Sequence, residues 1–142
     1  MKITLLVLAL LALFVLSVVL WVRLAPSDPA RWHVDPATAP DPATPNFARA
    51  ERVVALPPHE VRARLDAIAA AEGATVLAED ASGVTYLART RRMRYPDYVS
   101  IRLDDAGDGT TRLQAFSRSR FGRSDMGVNA ARLNRWLGKL GA

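Results

Sequence analysis

Residues 98–119, YVSIRLDDAGDGTTRLQAFSRS, decide the fold of this chain. The first six alternate, with Val99, Ile101 and Leu103 pointing one way, the period of a half-buried strand. Asp104 to Gly109 then turn the chain, and residues 111–119 form a second strand. In that strand Arg112 and Arg118 share a face with Gln114 and Phe116, and Leu113 and Ala115 face the opposite way. The acidic turn is not a calcium loop. An EF-hand needs glutamate at its twelfth position, and counting from Asp104 or Asp105 reaches Ala115 or Phe116, with no flanking helix. Glycine and aspartate serve here for their backbone tolerance.

Upstream, residues 75–78 and 84–91 read as two more strands, joined through Glu79-Asp80-Ala81-Ser82-Gly83 as a hairpin. Residues 50–56 read as a first strand, ended by Pro57-Pro58. HEVRARLDAIAAAE, residues 59–72, reads as a helix with Val61, Leu65, Ile68 and Ala69 on one face, stopped at Gly73. A last helix is predicted over about residues 124–140, N-capped by Ser124 or Asp125. Its core stripe is expected to be Met126, Ala130, Leu133, Leu137 and Leu140, with Arg135 and Lys139 solvated opposite. The order β-α-β-β-β-β-α predicts an α+β domain over residues 48–142: a small antiparallel sheet with two helices packed on one face.

The other end of the chain is different. Residues 3–22 are uncharged and almost wholly apolar, between Lys2 and Arg23. As a helix they measure ~30 Å, the thickness of a bilayer core. A cleaved signal has a shorter apolar centre and a small-residue cleavage site, whereas Trp21, Val22 and Arg23 stand where small residues belong. With no cysteine, the chain cannot carry the lipid of a lipoprotein. Residues 1–23 are therefore predicted to be an uncleaved transmembrane signal anchor. The short leader with Lys2 favours a cytoplasmic N-terminus and an extracytoplasmic domain. Ala9, Ala12 and Ser17 make no small-xxx-small pair, so helix pairing has little support.

Residues 24–47 hold six of the nine prolines. This linker is expected to be extended or irregular, reaching roughly 60–70 Å at most and following a shorter, partly docked path. Trp21 and Trp32 suit the headgroup level. His33 is expected to be solvated, with no metal role beside a distant His59.

Charge is uneven. From Arg89 onward the net charge is +7, and before it −2. Arg89, Arg91, Arg92 and Arg94 cluster at one strand end. Arg112, Arg118 and Arg120 predict a basic sheet face suited to an anionic surface, or one that only solubilises the domain. In the last helix Asp125, Asn129, Arg132 and Trp136 fall on one flank bordering the core. Two readings stay open there. Helix amides with Arg120 and Arg123 would cradle an anion, or Asp125 would cap the helix and Asn129 would satisfy nearby backbone.

SRSRFGRSDMGVNAARLNRWL, with MRYPDYVSIRL before it, resembles the bacterial domain of unknown function 1499 family. Trp32-His33-Val34-Asp35-Pro36 and Thr44-Pro45-Asn46 resemble the lead-in of its membrane-anchored members. The family pattern falls on Ser119, Arg120, Gly122, Ser124, Asp125, Gly127, Asn129 and Arg132. Many relatives have an acidic pair where Asp97-Tyr98 stands, and a cysteine near Phe47 and Ala48. No role is transferred to those positions. The resemblance implies a domain extent and no activity.

The sequence carries no phosphate loop, dinucleotide fingerprint or metal-ligand spacing, so no cofactor or metal is expected. The functional expectation is a non-catalytic module of the bacterial inner membrane with a periplasmic domain. It would bind an anionic ligand, a lipid headgroup or an envelope partner, and no nucleic acid. The binding residues are expected to be Arg112, Arg118, Arg120, Arg123, Ser124, Asp125, Asn129 and Arg132. The alternatives are a structural subunit of a membrane complex, a cryptic hydrolase using Ser119 or Ser124 with His59 or Asp125, and an inverted topology.

Overall fold

Alternation in residues 98–119 builds the centre of the sheet. The computed structural model describes residues 1–91 and 93–141. Its elements are α1 (Lys2–Leu24), α2 (Pro29–Trp32), β1 (Phe47–Val54), α3 (Pro58–Ala71), β2 (Thr75–Asp80), β3 (Gly83–Arg89), β4 (Pro96–Gly107), β5 (Thr110–Ser119) and α4 (Val128–Leu140). The five strands pair antiparallel in the order β1-β5-β4-β3-β2. This is the expected α+β fold. The β4–β5 turn puts Asp108 and Gly109 at φ 51° and 71°, the paired left-handed residues that suit a hairpin's twist. β1 starts three residues earlier than expected because Phe47 pairs with Arg118 and Val54 with Thr111, which fixes both its ends.

One face of the sheet carries Val84, Tyr86, Val99, Ile101, Leu113 and Ala115. Val61, Leu65 and Ala69 of α3 and Leu133, Trp136, Leu137 and Leu140 of α4 close over them as the core. The end of α4 differs from the expectation. Gly127 sits at φ 79° before the first helical residue, and Met126 stands outside the helix, 95% exposed. The helix therefore rotates its buried stripe onto Asn129, Arg132, Leu133, Trp136, Leu137 and Leu140, and Ala130 is exposed.

The proline-rich segment covers the opposite face. Trp32 stacks on Tyr98 with centroids 4.2 Å apart and planes 10° apart. His33 is not solvated: its side chain is only 12% exposed, with Nδ1 2.8 Å from Thr85 Oγ1 and Nε2 2.9 Å from Asp80. Arg102 donates to Asp35 at 2.7 Å, and Arg49 to the Pro36 carbonyl at 2.6 Å. One helical turn forms inside this segment, α2, because Asp28 accepts from Ala30 N and Pro29 takes the first helical position. The segment is a strap across the sheet.

α1 is apolar and long enough to cross a bilayer, a property that a signal sequence shares. It is exposed almost throughout and meets the domain only at its last residues. Val22 is buried, Trp21 meets the Phe121 ring edge-on at 5.3 Å, and Arg23 Nε donates to the Met93 carbonyl at 3.2 Å. Arg89 Nη1 donates to the Arg23 carbonyl at 3.2 Å. Thus α1 joins the domain at the end of the sheet where β4 begins.

Candidate functional site

Odd-numbered residues of β4 and β5 face the helices, so Asp97, Ser117 and Ser119 point towards α4 along with Val99 and Ala115. Arg132 answers the carboxylate. Its Nη2 donates to Asp97 Oδ2 at 2.7 Å, with both side chains buried. Arg132 Nη1 reaches Asn129 Oδ1 at 3.0 Å, and Ser117 Oγ donates to that same oxygen at 2.5 Å. Asn129 Nδ2 faces Asp125 Oδ2, Ser119 Oγ and the Asn46 carbonyl, all within 2.7–3.0 Å. Asn46 itself donates to the Gly122 carbonyl at 2.7 Å. One polar network thus joins the strap, both central strands, the 120–127 loop and α4.

Asp125 caps the helix from two positions before it. Oδ2 accepts from Asn129 N at 2.8 Å and Oδ1 from Gly127 N at 3.1 Å. Ser124 Oγ accepts from Met126 N at 3.3 Å. Of the first helical amides, that of Asn129 is taken by this cap, and that of Val128 donates to the Asp125 carbonyl at 3.1 Å.

One atom of the network is left over. Asp97 Oδ1 is buried and has no hydrogen-bond partner among the described residues. Burial pushes the Asp97 carboxyl above its usual range, against the pull of Arg132 and of the Ser119 hydroxyl across the strand pair. Asp97 lines a cleft of roughly 870 Å³ between the 89–97 segment, the 119–128 segment and α4. Its walls are largely apolar, with Ala88, Tyr95, Phe121, Val128, Ala131 and Trp136, and Ser119 and Arg132 lie beside Asp97. Met93, Arg89 and Phe121 form the side that also touches the end of α1. Below Trp136, Glu72 accepts from its indole Nε1 at 3.0 Å and from Lys139 at 2.9 Å. Burial pushes Glu72 up, but Arg135, Lys139 and Trp136 prevail and hold it down at about 2.

The residues expected to bind do not come together on one open face. Arg118 is buried under the strap, donating to the Trp32 carbonyl at 2.6 Å, and burial and the nearby Arg49 bring it down to about 10. Arg112 is exposed and lies 3.7 Å from Glu51 on the neighbouring strand. Arg120 donates to the Pro26 carbonyl at 2.6 Å. Asp125, Asn129 and Arg132 are joined in the network, while Ser124 and Arg123 stand exposed beside it. His59 is exposed at the start of α3, with no hydrogen bond to Ser119 or Ser124 among the described residues. Arg89, Arg91 and Arg94 lie at the α1 end, and the Arg92 expected with them falls outside the described residues.

Residues 22–140 match the model of a family described as a protein of unknown function, DUF1499. The chain belongs to the DUF1499 family. Among curated proteins none matches it. The DUF1499 match begins at Val22, so it takes in the strap as well as the sheet and helices. The residues that carried the resemblance from Ser119 to Arg132 are largely those of the polar network, together with the glycines that shape its loop. Gly122 and Gly127 have φ 91° and 79°, backbone that a side chain strains. Sequence reading missed Asn46, Asp97 and Ser117 as members of the DUF1499 network. A signal for Asp97 existed: it shares the parity of Val99 and Ile101, so it had to face the core and demand a cation.

Proposed function

We propose that this DUF1499 protein is a single-pass, membrane-anchored, non-catalytic binding module whose domain works against anionic headgroups outside the cytoplasm. The observation that carries this reading is the composition of the end of the domain joined to α1. Exposed Arg91, Arg94 and Arg123 stand there with Met93 and the fully extruded Met126, beside Trp21 and Phe121. Arginine suits phosphates, and indole and thioether side chains suit the layer beneath them. Met126 has φ 50°, and its turn holds an apolar side chain in solvent, an arrangement with no packing benefit within the domain. The acidic β4–β5 turn, Asp104, Asp105 and Asp108, lies at the far end of β4, about 35 Å away. A domain hung from α1 with this polarity presents arginine to the bilayer and aspartate to water.

This reading moves the anionic contact from the sheet face to the α1 end. Strap contacts already engage Arg118 and Arg120, whereas Arg91, Arg94 and Arg123 are exposed cations at the α1 end. Lys2 ahead of the apolar run favours a cytoplasmic N-terminus and supports placing the domain on the periplasmic side of the bacterial inner membrane.

The chain has no cysteine, so a single introduced thiol reports one position. Spin-labelled Met126→Cys and Asp108→Cys would be compared in nanodiscs of phosphatidylcholine with and without phosphatidylglycerol, across a salt series. The expected result is immersion of the label at 126 in anionic nanodiscs, reversed by salt and weakened by Arg91→Gln/Arg94→Gln/Arg123→Gln. The label at 108 stays aqueous throughout. An aqueous label at 126 in every lipid would overturn the reading. Reaction of Asp108→Cys with an impermeant maleimide on intact spheroplasts tests the side of the membrane.

A further inference from the structure

The cleft at the α1 end combines three features that no packing requirement explains. Its volume, roughly 870 Å³, falls within the range of about 300–1,000 Å³ that holds small-molecule ligands. Its walls are apolar through Ala88, Tyr95, Phe121, Val128, Ala131 and Trp136. Beside them lies Asp97, whose side chain is 1% exposed and whose Oδ1 has no partner among the described residues. A buried acceptor left unpaired is a cost to the fold, and a group that supplies its donor recovers part of that cost on binding.

The donor need not be charged. Arg132 already balances the Asp97 carboxylate at 2.7 Å, and burying a second cation would add a desolvation cost with little return. A hydroxyl meets the need at lower cost. Arg89 and exposed Arg91 line the same cleft, where they suit a phosphate, Arg89 through guanidinium nitrogens other than the Nη1 that donates to the Arg23 and Arg94 carbonyls. The apolar walls suit the first segments of acyl chains. Met93 and Phe121 line the cleft and also touch the end of α1, so the cleft opens beside that helix.

We propose that the cleft takes one phospholipid from the leaflet beside α1, its headgroup hydroxyl donating to Asp97 Oδ1, its phosphate held by Arg89 and Arg91, and its upper acyl segments against Trp136 and Phe121. The chemistry is that of an anionic, hydroxyl-bearing headgroup such as phosphoglycerol. The choice of the leaflet as source rests on the membrane-facing orientation proposed above; the cleft and its unpaired acceptor do not.

The test uses the full chain in nanodiscs of phosphatidylcholine doped equally with phosphatidylglycerol and phosphatidylmethanol. The second dopant is anionic but has no headgroup hydroxyl. Native mass spectrometry of the released protein would count and identify retained lipid. The expected result is one retained phosphatidylglycerol per chain, favoured over phosphatidylmethanol by roughly tenfold, the worth of one hydrogen bond to a charged acceptor. Ala131→Trp narrows the cleft from the exposed side of α4 and is expected to lower retention severalfold. Val128→Trp does the same from the first turn of α4, and circular dichroism checks that each variant is folded. Equal retention of the two anionic lipids overturns the hydroxyl contact. Retention unchanged in both tryptophan variants, or several lipids per chain without headgroup preference, overturns the site. The label at 126 is read in the same samples. Lipid retained with an aqueous label would sink the orientation alone, and an immersed label without retained lipid would sink the cleft alone.

Discussion

Arg132 of α4 and Asp97 of β4 meet at 2.7 Å with side chains 5% and 1% exposed, and this pair ties the last helix to the central strand. Its strength lies in being complete. Removing one member leaves the other charge buried and unpaired, whereas replacing both with apolar groups removes the demand altogether. Arg132→Met is expected to lower unfolding stability by about 3–5 kcal/mol, and Asp97→Leu with Arg132→Met to recover most of that loss. Urea unfolding of the full chain in mild detergent measures both. Equal losses in the single and double variants would contradict this account.

Trp32 holds the strap in the same way that Arg132 holds the helix. Its ring lies flat on Tyr98 at 4.2 Å, and its carbonyl accepts from the buried Arg118. Trp32→Ala removes the stacking surface and exposes Arg118 to water. The expected cost is about 2 kcal/mol, reduced from the full burial value because Trp32 is only half-buried. Limited proteolysis should then cut between residues 26 and 46, where the native protein is expected to resist. Unchanged resistance would mean that the strap is held by the His33 and Arg49 contacts instead.

The sheet was legible because its signal is local. Alternation from Val99 to Leu103 and the Asp-Gly turn need no distant partner to be read. The parity of β5 was legible too, since Leu113 and Ala115 do enter the core and Arg118 does face away. What covers Arg118 was not, because the strap docks through pairings with β3, β4 and β5 that lie 52 to 86 residues away in sequence. His33 looked solvated for the same reason: Thr85 and Asp80 become its neighbours only after the hairpin forms. The α4 flank was read as bordering the core, and it is the core face itself. That error came from starting the helix at Ser124, which pulled Met126 into the stripe and rotated the wheel.

The start of α4 can be tested directly. Asp125 accepts two backbone amides and the Asn129 side chain, whereas Ser124 accepts one amide at 3.3 Å. Asp125→Ala is expected to cost about 1–2 kcal/mol, the upper part of the capping range, because it also unpairs the buried Asn129. Ser124→Ala should stay within about 0.5 kcal/mol. Thermal unfolding of the two variants separates them. A larger loss at Ser124 would assign the cap to the wrong residue.

Acid should reveal two carboxyls of opposite sign. Glu72 titrates at about 2 in the folded chain against an ordinary 4.5, so its contribution is present above 4.5 and is lost as pH falls towards 2. Its contacts are partly exposed, which limits that contribution to about 1 kcal/mol. Asp97 is shifted the other way by burial, so ionising it costs the folded state and that cost is relieved as pH falls. Asp80, held down by Ser82 and His33, and Glu79, held down by Arg62, act in the same direction as Glu72. Urea unfolding between pH 6 and 2 should therefore show, for the native chain, an acid loss made by Glu72 together with Asp80 and Glu79, and offset in part by Asp97. Glu72→Gln is expected to lower stability at neutral pH and to flatten the acid limb, leaving the opposed contributions of Asp97 and of the Asp80 and Glu79 carboxyls. An acid limb as steep in Glu72→Gln as in the native chain would show that other carboxylates carry the pH dependence.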